Sequence, residues 1–568
     1  MIWAEDGTAS ACSRQVHSSV ILILITYNLL HVKYQYMYMY IFTYIVYTDN
    51  SSIMCHTDRR QSQQVYHHNT TLYSDLTIVN SVLSGCNTCI TPETSLSVYV
   101  TNSGVSDSTL FLHNLNLRTD VSLVIEDSAF DVTSHVVYLT INEGASQVNV
   151  ELQNSSFTSP SHVVQISGAS RMPLSYINIA VSNSHFAASP QTVYVTACSS
   201  HITFDVHNST FEQTRNRVIY IQTASINASV NDNMFVDNQA SLYLTFCDAS
   251  TDLASMQLPH QVTISSNRFS SHPTRSGHEL YFYSWGSQQL NHNVVISDNH
   301  FLHSLYRYKQ GVYIRNNYRF HSYTITSNRF INMGGEAFTA YGTYLDLSIR
   351  DNLLQNSLCH DRCLDLQGTP TIGQTNITGN TFIGNYPEYS VISFRQSGRS
   401  DLTADVTRNE FQNNTATLLT TDGPYVAIHE NFFESIDNFY NVRVTTTYNT
   451  YVNDVINASL NFWGTSDVNS IARSIYDKDY DEQLATVNFR PYLGSKNYSD
   501  IQNEDSSFVS PSRELGGAVN GNVTLTAEGG PYVVIANIEV QPDDVLTLTE
   551  GVVLKFKDSI GLVANGKL

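Results

Sequence analysis

The sequence predicts an all-β chain wound as a right-handed, single-stranded parallel β-helix. Three observations predict it. An aromatic residue returns behind a corner residue every two to three dozen positions, in the copies DSAF, NSSF, NSHF, NSTF, DNMF, SNRF, DNHF, SNRF, DNLL, GNTF, RNEF and ENFF. Their last residues are Phe130, Phe157, Phe186, Phe211, Phe235, Phe269, Phe301, Phe330, Leu354, Phe382, Phe411 and Phe433. A repeat of that period is one structural unit stacked on itself. Each copy follows a segment alternating with period two, such as VNVELQ, YINIAVS or HQVTISS, which places one apolar row on one face of a strand. No copy holds a run amphipathic enough for a helix, so the crossover between parallel strands must be the rest of the coil.

The elements follow in order. Residues 20–30 read VILILITYNLL, and a Tyr- and Met-rich tract follows. Eleven apolar residues fall short of the roughly 20 that span a bilayer. Residues 1–65 are therefore expected to be signal-like, anchor-like or a gene-model artefact, and to lie outside the rod. Residues 66–495 form the β-helix. In each coil Asn, Asp, Ser or Gly makes a corner, because Asn tolerates the left-handed region and bonds its own backbone. The Phe then points inward, and a second short strand such as TVYVTAC or LYLTFC follows. Stacking predicts a ladder of the rings. The repeat ends at INASLNFWGTSD, where Trp463 and Gly464 close the stack and SIARSIYD is expected to lay one short helical turn across the end. Residues 496–515 are polar and read as a linker. Residues 516–568 bring strands VTLT, YVVI, IEVQ, LTLT and VVLKF in quick succession, the start of a second, truncated β-helix. Its stop at Leu568 without a cap predicts a fragment of something longer.

Of the 568 residues only 14% are charged and 42% are hydrophobic, and the formal net charge is −21. The balance excludes a disordered chain, and no basic stripe invites nucleic acid. Sequons at Asn50, Asn69, Asn154, Asn208, Asn227, Asn376, Asn413, Asn457, Asn497 and Asn522 point to a secreted or cell-surface protein that carries glycans. In that compartment Cys359 with Cys363, and Cys86 with Cys89, read as local disulfides. Cys198 and Cys247 hold equivalent places two coils apart, about 9.6 Å by coil rise. That exceeds the limit of about 7 Å for a bridge, so they are expected to stay unbonded.

Candidate chemistry is sparse. Asp477, Asp479 and Asp481 alternate and offer weak oxygen ligands for Ca²⁺, yet the turn Gly and distal Glu of an EF-hand are missing. A solvated acidic cap is the better reading. His360, Asp361 and Arg362 sit inside the CxxxC loop, and Gly277, His278 and Glu279 form a second polar group. A solvated, disulfide-clipped loop explains the first better than catalysis does. No catalytic residues are assigned, and no cofactor is expected.

The terminator NFWGTSD…IARSIYDKDYDEQLATVNFRPYL, followed by GNVTLTAEGGPYVVIANIEVQPDDVLTLTEGVVLKF, resembles the bark beetle (anakonda) family. These are large animal cell-surface proteins with pectin-lyase-like β-helix repeats that organise septate junctions where three cells meet. The resemblance covers roughly residues 70–568. It implies a non-enzymatic extracellular solenoid at cell–cell junctions, with other cell-surface proteins and glycans as partners. Membrane attachment would come through parts of the full-length chain not visible here. The competing reading is a pectin-lyase-like carbohydrate-active enzyme, since that fold hosts such enzymes. A third is a carbohydrate-binding rod that uses exposed Tyr.

Overall fold

The computed structural model describes residues 12–15, 51–55 and 76–568, the last range with short interruptions of which 249–259 and 504–512 are the longest. The chain divides into two units, Met1–Leu302 and His303–Leu568.

The first unit is a stack of coils. Along one face Leu96–Thr101, Val121–Glu126, Gln147–Gln153 and Ser175–Ser182 pair in parallel. The face continues through the later parts of Gln191–His207 and Arg217–Asn231, then through Gln261–Ser265 and Asn293–Ser297. Burial alternates along these strands, as in Gln147–Gln153, where Val148, Val150 and Leu152 are buried, because successive side chains point to opposite faces. Ser51–Cys55 pairs in parallel with Ser81–Ser84. That strand falls in the range read as lying outside the rod. A short extended segment such as SSIMC can add to an open edge of such a sheet. The apolar stretch 20–30 lies outside the described residues.

Each repeat motif builds one short strand centred on the aromatic residue. Phe130, Phe157, Phe186, Phe211, Phe235, Phe269 and Phe301 are all buried. From Phe157 to Phe301 successive rings stack with centroids 4.8–5.0 Å apart and planes within 11°. The corner is finer than the motif suggested. The residue two before the outward one takes the left-handed turn: φ is 46° at Asn154, 58° at Asp232 and 56° at Ser266. The next residue points inward and passes a hydrogen bond to the following coil. Ser128, Ser155 and Ser184 do this through their backbone N–H and the next coil's hydroxyl, at 3.0–3.2 Å. From Asn233 the bond passes to Asn267 and then Asn299, with amide side chains joined at 3.0 Å. The buried ladder is thus Ser first and Asn later, and the exposed corner is the residue before it.

The second unit repeats this plan. His321–Thr326, Leu345–Arg350, Gln374–Thr378, Thr403–Thr407 and Val426–His429 form its first parallel sheet. Its Asn ladder runs Asn328, Asn352, Asn380, Asn409, Asn431 and Asn461. A second ladder on the far side of the Phe strand joins Ser357, Asn385 and Asn414. Leu354 takes the Phe place between Phe330 and Phe382. An apolar cavity of about 20 Å³ lies against all three.

The end of the stack is marked by Trp463, as the sequence predicts. In LNFW, Leu460 takes the left-handed turn at φ 57°, Asn461 joins the ladder, and Phe462 pairs outward with Phe432. Trp463 occupies the aromatic place, 5.0 Å from Phe433. The helix Val468–Arg473 follows, its first turn capped by Asp467, which accepts from the Ser470 N–H at 3.1 Å. Part of the stretch read as linker lies back on the stack. Lys496 pairs with Glu410 at 2.6 Å and with Glu434, and Tyr498 packs on Phe432 at 5.2 Å. An outward Phe needs a cover, which a polar linker would not supply. The second β-helix begins at Glu514–Val519, slightly before the expected start, pairing with Tyr532–Val540. Its own core is Leu515, Val519, Val534, Ile538 and Leu546.

Candidate functional site

The segment Ser357–Cys363 gathers the chemistry of the second unit. Cys359 and Cys363 are bonded, with Cα atoms 4.8 Å apart. Two successive non-Gly residues, Cys359 and His360, hold left-handed φ angles of 52° and 37°. Such a pair persists where neighbours over-determine it. Here the neighbours do. The preceding coil's Met333 and Gly334 carbonyls accept from the N–H groups of Leu358, Cys359 and His360. The following coil's Glu388 and Tyr389 N–H groups donate to the carbonyls of His360 and Asp361.

Three side chains converge on this loop. His360 Nδ1 lies 2.7 Å from Asp361 Oδ1. Glu336, from the coil before, brings a carboxylate oxygen so that all three ligand-capable atoms lie within 4.8 Å of one another. Sequence inspection found His360, Asp361 and Arg362 but missed Glu336. The signal was present: Glu336 precedes His360 by 24 residues, the step that separates Asn328 from Asn352. Arg362 leaves this group and lies over the Tyr389 ring at 5.2 Å. Tyr386, Tyr389 and Leu358 are 51%, 58% and 41% exposed, an apolar rim around the polar centre. Two positions past Cys363, buried Asp365 is held by the Arg395 guanidinium. Burial raises its carboxyl, and Arg395 pulls the other way.

The acidic cap residues separate. Asp477 is buried and accepts from the N–H groups of Asp479 and Val487, at 3.1 and 2.7 Å. Burial, then Asp479 and Glu539, push its carboxyl up to about 7. Asp481 instead accepts from the Gln483 N–H. The acid that joins Asp477 and Asp479 is Glu539 of the second β-helix rather than Asp481, because the cap docks on that helix. Asn537 donates there to the Tyr480 carbonyl, and Arg473 pairs with Glu514 at 3.0 Å.

In the first unit an outward aromatic row runs in register. Tyr138 pairs across with His113 on one side and Gln165 on the other, and Gln165 with Tyr194. Tyr194, Tyr220, Tyr243 and Tyr281 continue it. These four rings lie 3.9–5.4 Å from their neighbours, and Arg217 covers Tyr243 at 4.0 Å. Their faces turn toward one another, and the Tyr220 hydroxyl donates to the Gln222 side-chain oxygen at 3.2 Å. Beside the row His135 and His162 are joined at 3.2 Å, and His162 reaches Gln191 at 2.6 Å. Burial, then His162, push His135 down to about 4. Glu279, from the second polar group, is buried and accepts from the Ser241 hydroxyl.

One expectation is overturned. Cys198 and Cys247 form a disulfide, with Cα atoms 5.9 Å apart. The coil register is nonetheless as expected, with Val195 beside Ile221 and Ile221 beside Leu244. The error was a uniform rise. Ala197 pairs with Thr223 and His201 with Ser225, so three residues of one coil face the single Ala224 of the next. The middle coil cuts its corner, and the cysteines on either side reach across it. Cys86 and its pairing lie outside the described residues. Of the sequons, Asn154, Asn208, Asn413, Asn457, Asn497 and Asn522 are exposed, whereas Asn227 and Asn376 are half-buried in strands. Asn50 and Asn69 lie outside the described residues.

Coils, ladders and cap define a parallel β-solenoid. Over 150 residues, 25% of this chain, it is 31% identical to Protein bark beetle of Drosophila melanogaster. The chain spans 5% of that protein's length. No family model matches, and no solved structure matches. Among the described residues no helix is long and apolar enough to cross a membrane.

Proposed function

We propose that this chain is a non-enzymatic extracellular β-solenoid of a cell-surface adhesion protein working at cell–cell junctions. The likeness to Protein bark beetle carries the reading. The in-register row from Tyr194 to Tyr281 supports it, since Tyr is enriched where proteins meet. Its partner is another cell-surface protein. A sugar would stack on free ring faces, and these faces are covered. Glycans belong at the exposed sequon corners of the chain itself. Expressed with a secretion signal, the tagged chain should accumulate at contacts between epithelial cells. Tyr194→Ser with Tyr243→Ser should weaken that enrichment severalfold. Uniform surface staining, or staining indifferent to both substitutions, would sink the proposal.

A second reading rests on Glu336, Asp361 and Asp365 lying on adjacent coils with Arg362 and Arg395. Acids with a cation are what a polysaccharide-cleaving enzyme needs. Incubation with polyuronides and Ca²⁺ discriminates: unsaturated product would favour the enzyme.

A further inference from the structure

We infer that Glu336, His360 and Asp361 form a binding site for a first-row transition cation of the Zn²⁺ class. The donor set is one imidazole nitrogen and two carboxylate oxygens, mutually within 4.8 Å. Imidazole with carboxylate suits Zn²⁺ and its neighbours, whereas Ca²⁺ and Mg²⁺ select all-oxygen shells.

The loop is built before any ligand arrives. The Cys359–Cys363 bond encloses His360 and Asp361, and five backbone hydrogen bonds fix these two residues and the half-turn before them. Left-handed backbone at two successive non-Gly positions concentrates at ligand clamps. Glu336 is steered in turn. Gly335, beside it, approaches Lys309 so closely that a Cβ would lie 2.7 Å from the Lys309 carbonyl oxygen. The Gln310 amide donates to the Glu336 carboxylate, a support of the kind that orients metal ligands. The Gln310 carbonyl oxygen is buried and makes no hydrogen bond among the described residues. A water carried on the ion would supply its donor.

The three ligands come from two successive coils, and three protein ligands leave the remaining positions to water. The ion would pin the Glu336 coil to the clipped loop, and with it the exposed rim of Leu358, Tyr386 and Tyr389.

The test uses the full chain, secreted and freed of any histidine tag, dialysed against chelator and then titrated with Zn²⁺, Mn²⁺ or Ca²⁺ alone. One equivalent of Zn²⁺ is expected, with a raised melting temperature. His360→Ala and Glu336→Gln should each weaken binding about tenfold or more. The control is His185→Ala, which removes an exposed His beside Glu212, 3.6 Å away, and should leave the titration unchanged. Zinc anomalous scattering at His360 would place the ion independently of variant folding. No stoichiometric Zn²⁺, binding indifferent to His360→Ala and Glu336→Gln, equal loss in His185→Ala, or tighter Ca²⁺ than Zn²⁺ would each overturn the assignment.

Discussion

At Leu354 the aromatic ladder misses one rung. A Leu between Phe330 and Phe382 leaves a cavity of about 20 Å³. At about 24 cal/mol per Å³ that void costs near 0.5 kcal/mol, and a restored ring contact adds ~1 kcal/mol. Leu354→Phe should therefore raise the denaturation midpoint, by about 1.5 kcal/mol of stability. A lower midpoint would mean the coil has already closed around Leu. Asn380 is the opposite case, because its side chain is used completely. Its oxygen accepts from Asn352 N–H and from the Asn352 amide, and its amide donates to Ile349 and Asn409. Asn380→Ala would strand several buried partners and cost about 3 kcal/mol. The half-buried corner neighbour Gly379, at φ 69°, is conformationally tied instead. The motif letters alone did not separate these two roles, since Asn occupies both.

At the scale of the element, the cap and the second β-helix meet through Asp477, Asp479 and Glu539. The Asp477 carboxyl is raised in the fold to about 7. A raised acid favours the folded state when protonated. Its stabilisation is whole below the ordinary carboxylate range, near 4, and is lost as pH climbs through about 7. The junction should thus be firmer at pH 5 than at pH 8. Asp479→Asn removes the nearest like charge and should shrink the difference in melting temperature between the two pH values. An identical slope in parent and variant would show that these acids do not govern the junction. The disulfide Cys198–Cys247 belongs at this scale too. It closes a separation of 49 residues, and Cys198→Ser is expected to cost about 2–4 kcal/mol. A non-reducing peptide map should recover the two cysteines linked, and free thiols at both would contradict the cut corner at Ala224.

For the whole molecule, period and alternation in the residue string were enough for the parallel solenoid, its inward Phe and its Trp-marked end. These depend on local rules: a two-residue strand period, a left-handed corner, and a strand length that repeats. The Cys359–Cys363 loop was legible for the same reason, its cysteines being separated by only four positions. What required tertiary structure was everything that depends on an unequal step between coils or on contact at long separation. The cut corner at Ala224 joined cysteines that a constant rise keeps apart. The register of coils carried Glu336 to His360 and Asp361, and docking of the second β-helix brought Glu539, not Asp481, to the buried acids. A repeat states what each coil shares, and coordinates state where one coil departs from its neighbours. In this protein the candidate chemistry sits at those departures, because identical coils bring only identical residues together.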